Sequence, residues 1–181
     1  PITNVEELKF DMISQLEGLN RGDKVIIIID SVGNLASKKE LEDAINEKSV
    51  ADMSRAKALK GLFRMTTPYL NMKDIPLIAV NHTYKEIGLF PKDVVSGGTG
   101  IYYSADNIWI VGRQQDKQGT EIKGYHFVIN VEKSRYVKEK SKIPISVSWD
   151  GGVQHWSGLL DVAVGGNYVT KPSPGWYVRV D

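Results

Sequence analysis

Four short stretches of this 181-residue chain carry side chains able to do chemistry. The first is Asp30-Ser31, which ends the apolar run Val25 to Ile29. A carboxylate at the end of such a strand can hold Mg²⁺, directly or through water, beside nucleotide phosphates. The other reading is an aspartate that starts a turn or caps the next segment. The second stretch is Asn81-His82, which ends the run Pro76 to Val80. A histidine there is either a site residue or a hydrogen-bonded structural one. The third, Ser96-Gly97-Gly98-Thr99-Gly100, can present backbone N–H groups to an anion or act as a hinge for the segment before it.

The fourth stretch is Glu132-Lys133-Ser134-Arg135. The alternation of the strand before it predicts that Ile129, Val131, Lys133 and Arg135 share one face, with the two cations roughly 7 Å apart. Two like charges so placed repel unless an anion such as a phosphate lies between them. The alternative is a strand end solvated in water. Lys138, Lys140 and Lys142 follow, so residues 133–142 hold five cations against Glu139 alone. No G-x-x-x-x-G-K-S/T motif occurs, so the sequence contains no P-loop. It also has no zinc-hydrolase histidine pair, no G-x-S-x-G elbow and no dinucleotide fingerprint.

The elements that must position these residues follow from periodicity. Thr3 and Asn4, each followed three residues on by Glu6 and Glu7, form overlapping capping patterns, and Val5, Leu8, Met12, Leu16 and Leu19 predict a helix over 4–19. Val25 to Ile29 and Pro76 to Val80 read as strands buried on both faces of a parallel sheet. Ala51 to Thr67 spaces Met53, Ala56, Leu59, Leu62, Phe63 and Thr66 as a helix, with Pro68 marking its stop. Thr83 to Gly100 reads as a long loop. Strands are expected at Asn107–Gly112, Tyr125–Val131 and Ile143–Trp149, with turns at Gln118-Gly119 and Asp150-Gly151-Gly152, then a short helix at 159–164 and a last strand at 176–180. The order implies an α/β fold with a sheet of mixed direction.

Composition narrows the class. The hydrophobic fraction is 41%, a quarter of residues are charged and cysteine is absent, so a disulfide framework is excluded and a soluble, reducing, cytoplasmic setting is expected. No run is long enough for a membrane span. The net charge of +1 argues against nucleic-acid binding until the local basic stretch is counted. The chain starts Pro1-Ile2-Thr3 without an initiator methionine, which suggests part of a longer protein.

Five ordered blocks, IIIIDSVGNLASKKE, SRAKALKGLFR, IPLIAVNHTY, GGTGIYYSAD and VEKSRYVKEKSK, resemble the ATPase core of RecA-like recombinases, above all the T4-type phage branch. The resemblance implies a RecA-like core, a mixed, mainly parallel sheet with helices on both faces and a C-terminal antiparallel meander, incomplete because the P-loop part is absent. It makes residues 1–181 the C-terminal portion of one such core. Asp30, with Ser31 beside it, matches the aspartate that organises Mg²⁺ and water at ATP, and Gly97 and Gly98 fall with the nucleotide-site residues. His82 matches a sensor between the γ-phosphate and the following DNA loop, where bacterial relatives have glutamine.

Lys133 and Arg135 match paired cations that reach the ATP of the neighbouring subunit. The first DNA loop corresponds to 36–48 and the second to 83–98, with Lys38, Lys39, Lys48, Lys85 and Lys92 as phosphate contacts and Tyr84 and Phe90 as base contacts. The implied cofactors are ATP and Mg²⁺. The implied partners are single- and double-stranded DNA, further copies of the chain in a helical filament, and phage mediator and single-strand-binding proteins, with no membrane. Lacking a P-loop, the chain alone is expected to be inactive as an ATPase. The rival expectation is a non-enzymatic DNA-binding or regulatory module from a truncated or split gene.

Overall fold

The computed structural model describes residues 1–47, 53–89 and 91–180. It divides into two units, Pro1–Ala105 and Asp106–Asp181. In the first, α1 (Val5–Gly18) starts where the capping pattern predicts, with the Asn4 side chain accepting from the Glu7 N–H at 2.9 Å. Its apolar stripe Val5, Leu8, Met12 and Leu16 is buried.

That stripe meets α3 (Ser54–Lys73), which buries Leu59, Leu62, Phe63, Thr66 and Leu70. The helix therefore runs through Pro68 instead of stopping there. Proline removes the bond to the Arg64 carbonyl and costs ~3 kcal/mol in a helix interior. Each buried leucine or phenylalanine contributes roughly 1.5–3 kcal/mol, so packing on both sides of the proline outweighs it. Leu70 secures the last turn against Leu16 and Ile75.

The strands β1 (Ile27–Ile29) and β2 (Leu77–Ala79) pair in parallel, Ile27 with Leu77 and Ile29 with Ala79. Ile27, Ile29 and Leu77 face the helices and join their core. The opposite face bears Ile26, Ile28, Ile78 and Val80, all exposed. Burial on both faces, and helices on both faces, are thus not found among the described residues: α1 and α3 both pack against the same face of this pair.

Two predicted loops have structure of their own. Residues Lys38–Ile45 form α2, and Thr83–Lys85 (β3) pairs antiparallel with Asp93–Val95 (β4). Thr99–Ser104 is α4.

The second unit is antiparallel. Its strands β5 (Asn107–Gln118), β6 (Glu121–Ser134), β7 (Lys142–Ser148) and β8 (Gly152–Val153) pair in sequence order. The first two outrun their predicted ends because the polar residues near the turn keep pairing, out to Gln118 with Glu121. At Gly124 a Cβ would lie 2.1 Å from the Val147 carbonyl oxygen, so β6 and β7 approach closely there. Leu159–Gly165 (α5) and a hairpin of Val169–Ser173 (β9) with Trp176–Arg179 (β10) complete the unit. The fold is mixed α/β, but the expected mainly parallel sheet is corrected: one parallel pair stands beside three antiparallel sheets among the described residues. Within that set no helix is long and apolar enough to cross a membrane.

Candidate functional site

Parallel pairing of Ile29 with Ala79 brings Asp30-Ser31 and Asn81-His82 to one edge. The pairing continues past the strands, since the Val80 N–H donates to the Ile29 carbonyl at 2.8 Å and the Val32 N–H to the Val80 carbonyl at 3.0 Å. Asp30 is exposed, and its peptide bond to Ser31 is cis. The His82 imidazole rests on Gly33, where a Cβ would come within 2.2 Å of Nδ1. The Asn81 Oδ1 accepts from the His82 N–H at 2.9 Å, and its Nδ2 donates to the Ser96 carbonyl at 2.7 Å. The Ser96 N–H in turn donates to the His82 carbonyl at 3.0 Å. The β3–β4 hairpin is thereby rooted on the residue that ends the second parallel strand.

The glycine block packs on α3. A Cβ at Gly97 would meet Leu59 at 2.8 Å, one at Gly98 would meet Ala56 at 3.2 Å, and one at Gly100 would meet the Lys60 backbone at 2.9 Å. Positive φ at Gly97 and Gly98 adds a second reason for glycine. Close approach and backbone conformation therefore account for these glycines without a bound anion.

Sequence reasoning missed Arg55, near the start of α3. Its Nε donates to the Leu35 carbonyl at 2.8 Å, and Nη2 to those of Val32 and Gly33 at 3.0 and 2.8 Å. A detectable signal existed, because a cation in the first turn of a helix opposes the dipole and needs another partner.

In the first predicted DNA loop, Ser37 and Glu40 form a reciprocal capping box that starts α2. Lys38 and Lys39 reach Glu42 and Asp43 at 3.9 and 3.1 Å, exposed pairs that a stronger anion can replace. In the second, Tyr84 is exposed and Lys85 pairs with Asp93 at 2.8 Å. Lys92 is exposed, and its carbonyl accepts from the Glu86 N–H. The tip presents Ile87 and Leu89, 102% and 95% exposed, which sequence reasoning did not single out. Lys48 and Phe90 lie outside the described residues.

In the second unit the β5–β6 register shifts between Ile108, opposite Lys133, and Trp109, opposite Val131. Adjacent residues of β5 point to opposite faces, so the bulge at Glu132 turns Lys133 away from the face of Val131. The expected single face for Val131, Lys133 and Arg135 is corrected accordingly. Arg135 is charge-balanced, with Nε 3.1 Å from Asp106 Oδ1, so it needs no phosphate to relieve it. Ser134 accepts the Tyr136 and Val137 N–H groups, each at 3.1 Å, and shapes the turn that follows.

For Mg²⁺ the donor set is sparse: no cluster of three acidic, histidine or cysteine side chains occurs among the described residues. One exposed carboxylate at a strand end does fit an ion that keeps most of its waters and is otherwise held by nucleotide phosphates. Asp30 would hold it, with Ser31 and Asn81 beside it.

Comparison with known proteins matches residues 156–181 to the family described as Bacteriophage T4, Recombination and repair protein, C-terminal domain. The recombination and repair protein of Enterobacteria phage T4 is 56% identical over 99% of this chain and 46% of its own length. Protein RecA of Tropheryma whipplei is 28% identical over 86% of this chain and 36% of its own length, and that of Aquifex pyrophilus 26% over 88% and 46%. The chain thus spans less than half the length of these relatives. By sequence the chain is similar over nearly all of its length to the phage T4 recombination and repair protein and, at lower identity, to RecA proteins.

Proposed function

We propose that this chain is the C-terminal portion of the ATPase core of a strand-exchange recombinase. The complete protein coats single-stranded DNA as a helical filament, binds ATP and Mg²⁺ at subunit interfaces, and exchanges strands with a homologous duplex. One observation carries this reading: two parallel strands end together in Asp30-Ser31 and Asn81-His82, and the second candidate DNA loop is bonded directly to that end through Ser96. A nucleotide contact at one end of His82 and a DNA contact in the hairpin would share a few covalent and hydrogen bonds.

Asp30 and His82 act on the subunit's own nucleotide, and Lys133 with Arg135 on that of a neighbour, stabilising charge as arginine fingers do. Arg135 must then exchange Asp106 for phosphate, a small cost for an exposed pair. Residues 36–48 and 83–98 contact the strand, through Lys38, Lys39, Lys85 and Lys92, while Tyr84, Ile87 and Leu89 wedge or stack against bases. Phage mediator and single-strand-binding proteins are the expected partners, in the cytoplasm of an infected bacterium.

Fluorescence anisotropy of labelled oligothymidylate tests the DNA half. The chain should bind it, with an affinity that falls steeply with salt; a flat titration at low salt refutes this half. For the ATPase half, replacing Lys133 and Arg135 together by alanine in the complete protein should abolish DNA-stimulated hydrolysis and leave the monomer folded. Undiminished stimulation would refute it. A start codon immediately before Pro1, with no P-loop upstream, would leave the non-enzymatic module instead.

A further inference from the structure

Arg55 has no part in the function proposed above, yet it makes more side-chain hydrogen bonds than a surface arginine needs. It is the second residue of α3, where the helix dipole disfavours a cation. Its half-buried guanidinium spans the carbonyls of Val32, Gly33 and Leu35, and Nη1 stands 3.5 Å from the hydroxyl of buried Ser96. A planar fork can hold several acceptors at fixed angles, whereas a lysine ammonium cannot span them. The groups it joins come from separate segments. Val32 to Leu35 follow Asp30-Ser31, and Gly33 supports the His82 ring. Ser96 ends the hairpin and holds Asn81 and His82 through its backbone. Next to Arg55, the Ser54 hydroxyl lies 2.5 Å from that of Ser37, the cap of α2.

We propose that Arg55 is a positioning residue that locks the turn after the first parallel strand to the root of the second loop, so that both loop segments and His82 move as one body. The lock itself rests on geometry; its effect on DNA binding rests on the function proposed above.

Hydrogen exchange of the full chain, read by mass spectrometry at peptide level, tests the lock without DNA. Arg55→Lys and Arg55→Met should each speed exchange about tenfold or more in both 32–38 and 93–98, while the α1 and α3 peptides around Leu16 and Leu70 keep their protection. Ser96→Ala, a milder change, should speed the same two segments by a smaller factor. Acceleration in one segment only, or wild-type exchange in Arg55→Lys, overturns the proposal.

Oligothymidylate anisotropy adds the functional arm. Both Arg55 variants should weaken binding at least fivefold with an unchanged slope of log affinity against log salt, because no phosphate contact is lost. Wild-type affinity in Arg55→Lys, together with a shallower slope in Arg55→Met, would make Arg55 a direct phosphate contact and overturn the positioning role. Absence of DNA binding by the wild-type chain sinks the DNA reading and leaves hydrogen exchange to decide on Arg55.

Discussion

The strand-end cluster of the first unit and the cation stretch of the second are built by opposite means. Asp30, Asn81 and His82 are brought together by residues some fifty positions apart, through a parallel pair that itself depends on α1 and α3 for cover. Lys133 and Arg135 sit at the end of one long hairpin, held by adjacent-strand bonds and an ion pair to Asp106. The first arrangement is set by core packing and tolerates little loss there. The second is set by local pairing, and its Arg135–Asp106 pair lies exposed, where a stronger anion can displace the carboxylate.

The largest effect should therefore come from the core beneath the first cluster. Leu59 is wholly buried among Val5, Leu8, Ile29 and Ile101. Leu59→Ala should lower stability by about 2–5 kcal/mol, seen as an earlier loss of the helical signal at 222 nm. All four tryptophans lie between Trp109 and Trp176, so their fluorescence follows the second unit in the same melt. A melt unchanged at 222 nm would break the contrast between the two regions.

Local pairing predicts a different weak point in the second unit, where Val131 is the one fully buried apolar side chain among the described residues. Gly124→Ala forces a methyl into the Val147 carbonyl, a backbone atom that cannot swing aside. The expected loss is about 1–3 kcal/mol, accompanied by faster amide exchange along β6 and β7. If exchange there stays at the wild-type rate, close backbone approach is not what holds that hairpin.

Asp106→Asn sharpens the same comparison from the charge side. Both partners of the Arg135 pair are about half exposed, so its removal should cost under about 1 kcal/mol. Under the recombinase reading it should also leave Arg135 easier to recruit to phosphate, and a chemical-shift titration with inorganic phosphate would record tighter binding at Arg135. Weaker binding in the variant would mean that Asp106 orients the guanidinium for the anion.

What the sequence made legible divides along the same line. Local signals could be read directly: the Asn4 cap, the stripe from Val5 to Leu16, and the alternation of β5 to β7 each rest on neighbours in sequence. The end of α3 could not, because Pro68 is a local stop that Leu70 overrides from across the core. The box of Ser37 and Glu40 repeats the pattern recognised at Asn4, but it sits in a stretch whose resemblance points to a DNA loop. The bulge that turns Lys133, and the partners of Arg55, depend on register and on segments twenty or more residues away, which periodicity does not encode.

The smallest effect concerns the entrance to α1, where the first unit begins to assemble. The backbone N–H and hydroxyl of Thr3 both donate to Glu7 Oε2, each at 2.8 Å, and with help from Asn4 they hold this exposed carboxyl below the usual glutamate range. A carboxyl whose folded value is lowered adds stability when ionised, above the unfolded value, and that stability is lost as pH falls through the folded value. The same helix end carries the Val5 N–H to the Ala36 carbonyl and the Glu6 carboxylate to the Lys38 N–H, so loosening it reaches the start of α2. Glu7→Gln should thus be slightly less stable than wild type near neutral pH, and the difference should shrink in acid, below the glutamate range. An NMR titration of the Glu7 carboxyl supplies the folded value directly. A stability difference that grows in acid would show that the loss comes from the amide's poorer fit and not from the carboxylate, leaving the cap of α1 governed by Asn4 alone.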